Sequence, residues 1–342
     1  MANTFVSFVS LVSFLVASAP LLARAQIYEA VGTRAQGMGG AFVAVADDAS
    51  ATWWNPAGLA SGANFSSVIE RDSIGDPGTP GALGPARQDT ASGVAIAFPA
   101  FGLSYYRLRV NEIRPAVAAS TGGGQPGRQD DGAGGVALRS LMVNKFGVTV
   151  GQSLGRHLVV ASTLGLLRGG VATGSGTESS AKQALDDAGN LNSASETHPD
   201  VDLGAMLSAG SLRIGVAVKH VNEPHFGDGD AGISLDRQAR AGLAIVSKGA
   251  TPLTLAADLD LTRTPTVNGD VRHIAGGLEG WFAKRRVGLR TGLSGNLIGP
   301  AHPSPSAGVS LGLKTGLYLD GAATFGGDQA REGWALALRA TF

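Results

Sequence analysis

The chain has 342 residues, with 27 Lys and Arg against 27 Asp and Glu; a formal net charge of zero leaves no electrostatic footprint for nucleic acid. Charged residues make up only 16% of it, against about 25% in ordinary soluble domains, and glycine is abundant at 51 residues. There is no cysteine, which excludes disulfides, thiolate metal sites and thiol nucleophiles.

Residues 1–25 read as a secretion signal. An apolar, serine-dotted run from Phe5 to Leu22 leads into Ala23-Arg24-Ala25, an A-x-A cleavage site before Gln26. Met1 to Thr4 holds no Lys or Arg, which departs from the usual pattern and leaves the start codon open. An N-terminal membrane anchor is the competing reading; Pro20 and the cleavage site oppose it. Residues 26–63 follow as a plug. The stretch Gly32 to Ala60 is too rich in glycine, and its pair Asp47-Asp48 too central, for a membrane span. Beyond residue 25 no run of about 18 apolar residues occurs, so no spanning helix is expected. A membrane protein without spanning helices must be a closed barrel, because lipid cannot satisfy unpaired backbone groups.

From about residue 65 the chain becomes a series of segments of about ten residues with period-2 alternation. In Leu253 to Thr262, the leucines 253, 255, 259 and 261 share one face, and Thr254, Asp258 and Asp260 the other. Ile274, Leu278 and Phe282 oppose His273, Glu279 and Trp281; Trp334, Leu336 and Leu338 oppose Arg339. Strands are expected to begin near Asn64, Ser92, Phe101, Leu138, Arg156, Pro199, Ser211, Arg237, Pro252, Arg272, Arg286, Ser304, Gly316 and Gly333. Short turns, such as Pro99-Ala100 and Gly210-Ser211, alternate with longer polar loops at about 72–91, 111–135, 171–198 and 223–236. That alternation is the outer-membrane pattern and puts both chain ends on the short-turn, periplasmic side. The expected fold is all-β: a transmembrane antiparallel β-barrel of about 14 strands over residues 64–342, with the N-terminal plug inside. The chain ends on the aromatic Phe342, as such barrels do to engage the outer-membrane assembly machinery.

Chemical motifs are weak. Gly151-Gln152-Ser153-Leu154-Gly155 matches a nucleophile elbow, but strands flank it where a strand–turn–helix is required, so a hairpin turn is the better reading. The six histidines show no metal-ligand spacing, and Asp228-Gly229-Asp230 lacks the rest of a calcium loop. Gly37-Met38-Gly39-Gly40 has no lysine after it and no βαβ context, which argues against a phosphate site. Neither an enzyme, nor a metal, nor a cofactor is expected. Ser180 to Leu191 reads equally as a short helix or a loose polar loop.

One stretch carries a resemblance. Arg34, Gly37-Met38-Gly39-Gly40-Ala41, Ala44, Ala46-Asp47-Asp48 and Asn55-Pro56-Ala57-Gly58-Leu59 resemble the N-terminal region of the FadL/TodX outer-membrane transport family and of the related PorV/PorQ-like barrels. The resemblance implies a 14-stranded barrel whose N-terminal segment folds inside as a hatch, with Asn55-Pro56-Ala57 as its landmark turn. It implies passive uptake of hydrophobic small molecules, long-chain fatty acids or similar, in the outer membrane. The candidate hatch and ligand residues are Gly37, Gly39, Gly40, Phe42, Asp47, Asp48, Trp53, Trp54, Asn55, Pro56 and Ala57. Trp53 and Trp54 either touch a ligand or wedge the plug. The loops here are rich in Gly, Ser and Asp rather than apolar. They also fit the alternative implied by the PorV-like relatives: a non-transporting barrel that binds, anchors or hands over a secreted protein.

Overall fold

The computed structural model describes residues 28–78, 83–115, 135–177, 180–228, 232–247, 249, 251–266, 269–326 and 330–342. The signal segment and the Gly229-Asp230 part of the acidic triplet lie outside them. Fourteen antiparallel strands close into one barrel. They are β1 (Ser66–Asp76), β2 (Ala86–Phe98), β3 (Phe101–Pro115), β4 (Val136–Leu154), β5 (Leu158–Gly176), β6 (Glu196–Ala209) and β7 (Leu212–Lys219). The others are β8 (Gln238–Val246), β9 (Leu253–Asp260), β10 (His273–Phe282), β11 (Val287–Asn296), β12 (Ser304–Lys314), β13 (Leu317–Thr324) and β14 (Glu332–Thr341). Each pairs with its sequence neighbours, and β1 closes on β14 from Ser66↔Thr341 to Gly75↔Glu332. No described helix is long and apolar enough to cross a membrane.

The alternation sorts side chains as a membrane barrel requires. Ile69, Leu164, Leu255 and Leu336 face outward and are exposed, while Glu70, Thr163, Asp258 and Arg339 face the lumen and are buried. Tight turns close the periplasmic side, with Ala100, Gly155, Gly210 and Gly316 at positive φ. The Gly151–Gly155 motif is the end of β4 and its turn into β5, with no helix after it.

β2 and β6 run to 13 and 14 residues, and three strands go furthest beyond the expected ten: β3 has 15, and β4 and β5 have 19 each. Their outer ends continue above the membrane because apolar side chains there are covered on both faces. On the outer face a helix, Ala181–Gly189, packs Ala184, Leu185 and Ala188 against Ala86, Ile113, Val136 and Leu138. Its first turn is capped by the Ser180 hydroxyl, which accepts from Gln183 N at 3.3 Å. On the lumen face a small hairpin, His225–Phe226 with Ile233–Ser234, brings Phe226 and Ile233 to Leu167 and Val171. The second strand starts at Ala86, six residues before the expected Ser92, since Arg87 and Asp89 pair with each other in the lumen there.

Candidate functional site: the hatch and the outer cleft

Residues 28–62 cross the lumen and are almost wholly buried. Their backbone reaches the wall where lumen-facing glycines leave room. An ideal Cβ on Gly277 would lie 2.6 Å from Met38 O, and one on Gly292 2.2 Å from Met38 C. The Cα of Gly37 would be 3.1 Å from a Cβ on Gly308. Gly39 and Gly40 adopt φ of +68° and +88°, a conformation that side chains resist, and turn the chain away from β11 and His273.

Charge holds the segment in place. Arg34 donates to Asp47 at 2.9 Å, to Asp48 at 2.6 Å and, through two nitrogens, to the Glu279 carboxylate at 2.9 and 3.2 Å. Arg290 Nε reaches the same carboxylate at 2.6 Å, Arg339 donates to Asp320 at 2.8 Å, and Arg339 Nε lies 3.9 Å from Asp48. Hatch and wall thus share one network of alternating charge. Burial alone would raise the Asp48 carboxyl, but the Arg34 and Arg339 charges outweigh it and hold the group below the usual aspartate range. A depressed carboxyl contributes stability above its unfolded value and loses it as the pH falls through the folded one. The hatch is therefore expected to stay protected from protease down to about pH 4, the ordinary aspartate range, and to loosen below it. Proteolysis of liposome-inserted protein across a pH series, with an acid-active protease, checks this.

Backbone groups are met as well. Asp258 Oδ2 accepts from both Phe42 N and Val43 N at 2.8 Å, and Thr33 N donates to Glu70 at 3.0 Å. Asn55 donates to Val43 O at 2.9 Å and Ala205 O at 3.2 Å and accepts from Ala57 N at 3.1 Å. Pro56 follows it at the head of a 3₁₀ turn, Pro56–Ser61, a place where no amide donor is needed. Trp53 donates to Tyr28 O at 2.9 Å and lies 3.2 Å under the Lys219 ammonium; Trp54 donates to Val31 O at 2.8 Å and meets Phe42 edge-on. Both indoles are buried and hydrogen-bonded within the hatch. Phe342 sits apart from the hatch, at the β1–β14 seam, stacked on Phe65.

The wall residues Glu279, Asp258, Lys219 and Glu70 are not among the candidate hatch residues read from the sequence, although a charge on the lumen face of a strand is itself a signal that a buried partner must exist. Two groups have metal-binding spacing among the described residues: Glu29, Asp260 and His273, and Asp200, Asp202 and His220. Arginine occupies the first, since Arg240 donates to both carboxylates. Lys145 occupies the second, at 2.6 Å from Asp200 and 2.5 Å from Asp202.

A cleft of about 270 Å³ opens on the loop side, between the outer ends of β1, β2, β11 and β12. Glu29, Arg87, Asp89, Asn296, His302 and Arg331 line it, with Ile74, Val271 and Ile298 between them. Beneath it a void of about 10 Å³, barely a water in size, touches Gly39, Gly40 and Trp54 and shares Glu29, Ile74, Ser294 and Arg331 with the cleft. The two define a line from the outside down to the Gly39-Gly40 turn, where the hatch blocks it.

A family model described as "F plasmid transfer operon, TraF, protein" matches residues 30–260. No curated protein matches the sequence. Among solved structures, the chain is similar to the toluene transporter TbuX of Ralstonia pickettii: TM-score 0.60 and 14% identity over 92% of this chain and 99% of that one. It is similar also to the monoaromatic hydrocarbon channel CymD, with a TM-score of 0.63 and 12% identity over 93% and 99%. A FadL homologue from Pseudomonas aeruginosa aligns at 0.53 and 10% over 91% and 98%. The fold is that of FadL/TodX-type outer-membrane channels.

Proposed function

We propose a transport role for this chain, which belongs to the family of F plasmid transfer operon TraF proteins: passive uptake of small hydrophobic molecules across the outer membrane, along a path that the hatch gates. The observation that carries the reading is the line from the outer cleft to the Gly39-Gly40 turn, inside a fold that matches hydrocarbon channels along its length. The cleft's Ile74, Val271 and Ile298 would take an apolar body, and its charged rim would favour a small molecule with a polar end. Passage needs the hatch to shift, because among the described residues the wall ladder is continuous and its one register shift, between Gly312 and Lys314, lies at the periplasmic end of β12. On this reading the protein performs no catalysis, and Ser153 is a turn residue.

Purified protein in liposomes is expected to speed the entry of labelled toluene or a labelled fatty acid over empty liposomes. Folded barrel with no gain for either class would sink the proposal. The PorV-like alternative draws on the polar rim and on the helix Ala181–Gly189 held against the outer wall. It would be favoured if uptake is absent and crosslinking from the outer loops captures a secreted protein.

A further inference from the structure

We infer that the outward face of β1–β5 binds a phosphate-bearing glycolipid of the outer leaflet through a row of arginines. The register places Arg71, Ser92, Arg107, Asn144 and Arg168 side by side on five neighbouring strands. Arg71, Arg107 and Arg168 are exposed, and all share the lipid-facing side with the row beneath: Ile69, Val94, Tyr105, Phe146 and Leu166. That lower row is apolar and exposed throughout. The polar row thus marks an abrupt upper edge of the hydrocarbon-facing band. Arginine is unfavourable against hydrocarbon and tolerated at headgroup level.

The row above holds Ser73, Thr90, Arg109, Met142 and Gly170, so neither row offers a carboxylate to neutralise the arginines. Instead Arg107 and Arg109 both turn toward the Met142 sulfur, at 3.2 and 3.6 Å. Such a thioether is a weak acceptor and leaves the cationic donors largely unspent. Arginines two strands apart stand about 10 Å from each other at Cα, so Arg107 and Arg168 can both reach one phosphate placed over Asn144. A shelf bounds the site from above. The loop after β5 lies on this face, with Ala194 O against Gly170 and the end of the Ala181–Gly189 helix beside Arg109. Apolar band, unneutralised guanidinium row and roof together suit a lipid whose acyl chains lie against the wall and whose phosphate sits on the row. The inference is independent of what the lumen transports.

The test is binding of purified, detergent-solubilised full chain to bisphosphorylated lipid A, to the same lipid stripped of phosphate, and to phosphatidylglycerol, read by native mass spectrometry. Wild-type protein should prefer bisphosphorylated lipid A over both others by at least about tenfold, and the double variant R107Q/R168Q should lose that preference. Equal binding of the dephosphorylated lipid, or an unchanged preference in the variant, would overturn the inference. So would equal binding of phosphatidylglycerol, which would assign the row to phospholipid headgroups. Should R107Q/R168Q fail to fold, the wild-type contrast between the two lipid A forms decides. R107K/R168K, which keeps the charge but loses bidentate geometry, is expected to bind with intermediate strength.

Discussion

Gly292→Ala is expected to unseat the hatch, while Gly276→Ala leaves it closed. Both glycines sit in strands with no positive φ, so the backbone itself accepts alanine. What differs is the face. A Cβ at Gly292 meets Met38 C at 2.2 Å, Gly39 N at 2.3 Å and Met38 O at 2.5 Å, all backbone atoms of the hatch. A Cβ at Gly276 points outward and meets nothing within 4 Å. Overpacking a tight contact typically costs about 1–3 kcal/mol, and here neither strand nor hatch backbone can rotate out of the way. The hatch is the less constrained partner, since the barrel strands are held on both edges. Planar-bilayer conductance should rise for Gly292→Ala and stay at the wild-type level for Gly276→Ala. Heat-modifiable gel mobility would confirm that both barrels fold. Wild-type conductance in a folded Gly292→Ala barrel would refute the close seating of the hatch.

Replacing Arg34 with alanine should release the hatch by a different route. Arg34 is buried, and its guanidinium bridges Asp47 and Asp48 of the hatch to Glu279 of β10. Removing one member of a buried charge network strands the others without compensation, at about 3–5 kcal/mol. Burial opposes the charge on Arg34, yet Glu279, Asp48 and Asp47 hold its guanidinium firmly protonated. Arg34→Ala should therefore expose the hatch to protease at neutral pH while the barrel persists. Glu279→Ala should do less damage, since Arg34 keeps Asp47 and Asp48. The double variant should fall short of the sum of the two, because the singles break one shared contact. Strict additivity in hatch protection would mean that the pair is not coupled.

Much of the barrel is visible in the sequence because period 2 is a local property. Leu255 and Asp258 announce their opposite faces without reference to any other strand, and turn residues such as Ala100 and Gly210 separate the segments. The pattern weakens where membrane no longer imposes it. The outer ends of β3–β5 are covered on both faces, so Leu167 and Val171 are apolar on the lumen side expected to be polar, and Ile113 falls in a stretch expected to be a polar loop. The start of β2 was hidden for a related reason: Arg87 and Asp89 read as loop residues until their pairing in the lumen is seen.

The hatch divides in the same way. Glycines, the Asp47-Asp48 pair and the Asn55-Pro56 turn mark a compact segment ahead of the strands, and sequence alone determined that it exists and what its local turns are. Which wall residues receive it was decided by tertiary structure. Glu279 lies 245 positions from Arg34 and Asp258 lies 216 from Phe42. Their meeting depends on the register of every strand in between. The same holds for the row of Arg71, Arg107 and Arg168, whose members are unremarkable singly and adjacent only once the strands are aligned. Alternation fixes the face of each side chain; only closure of the barrel fixes its neighbours.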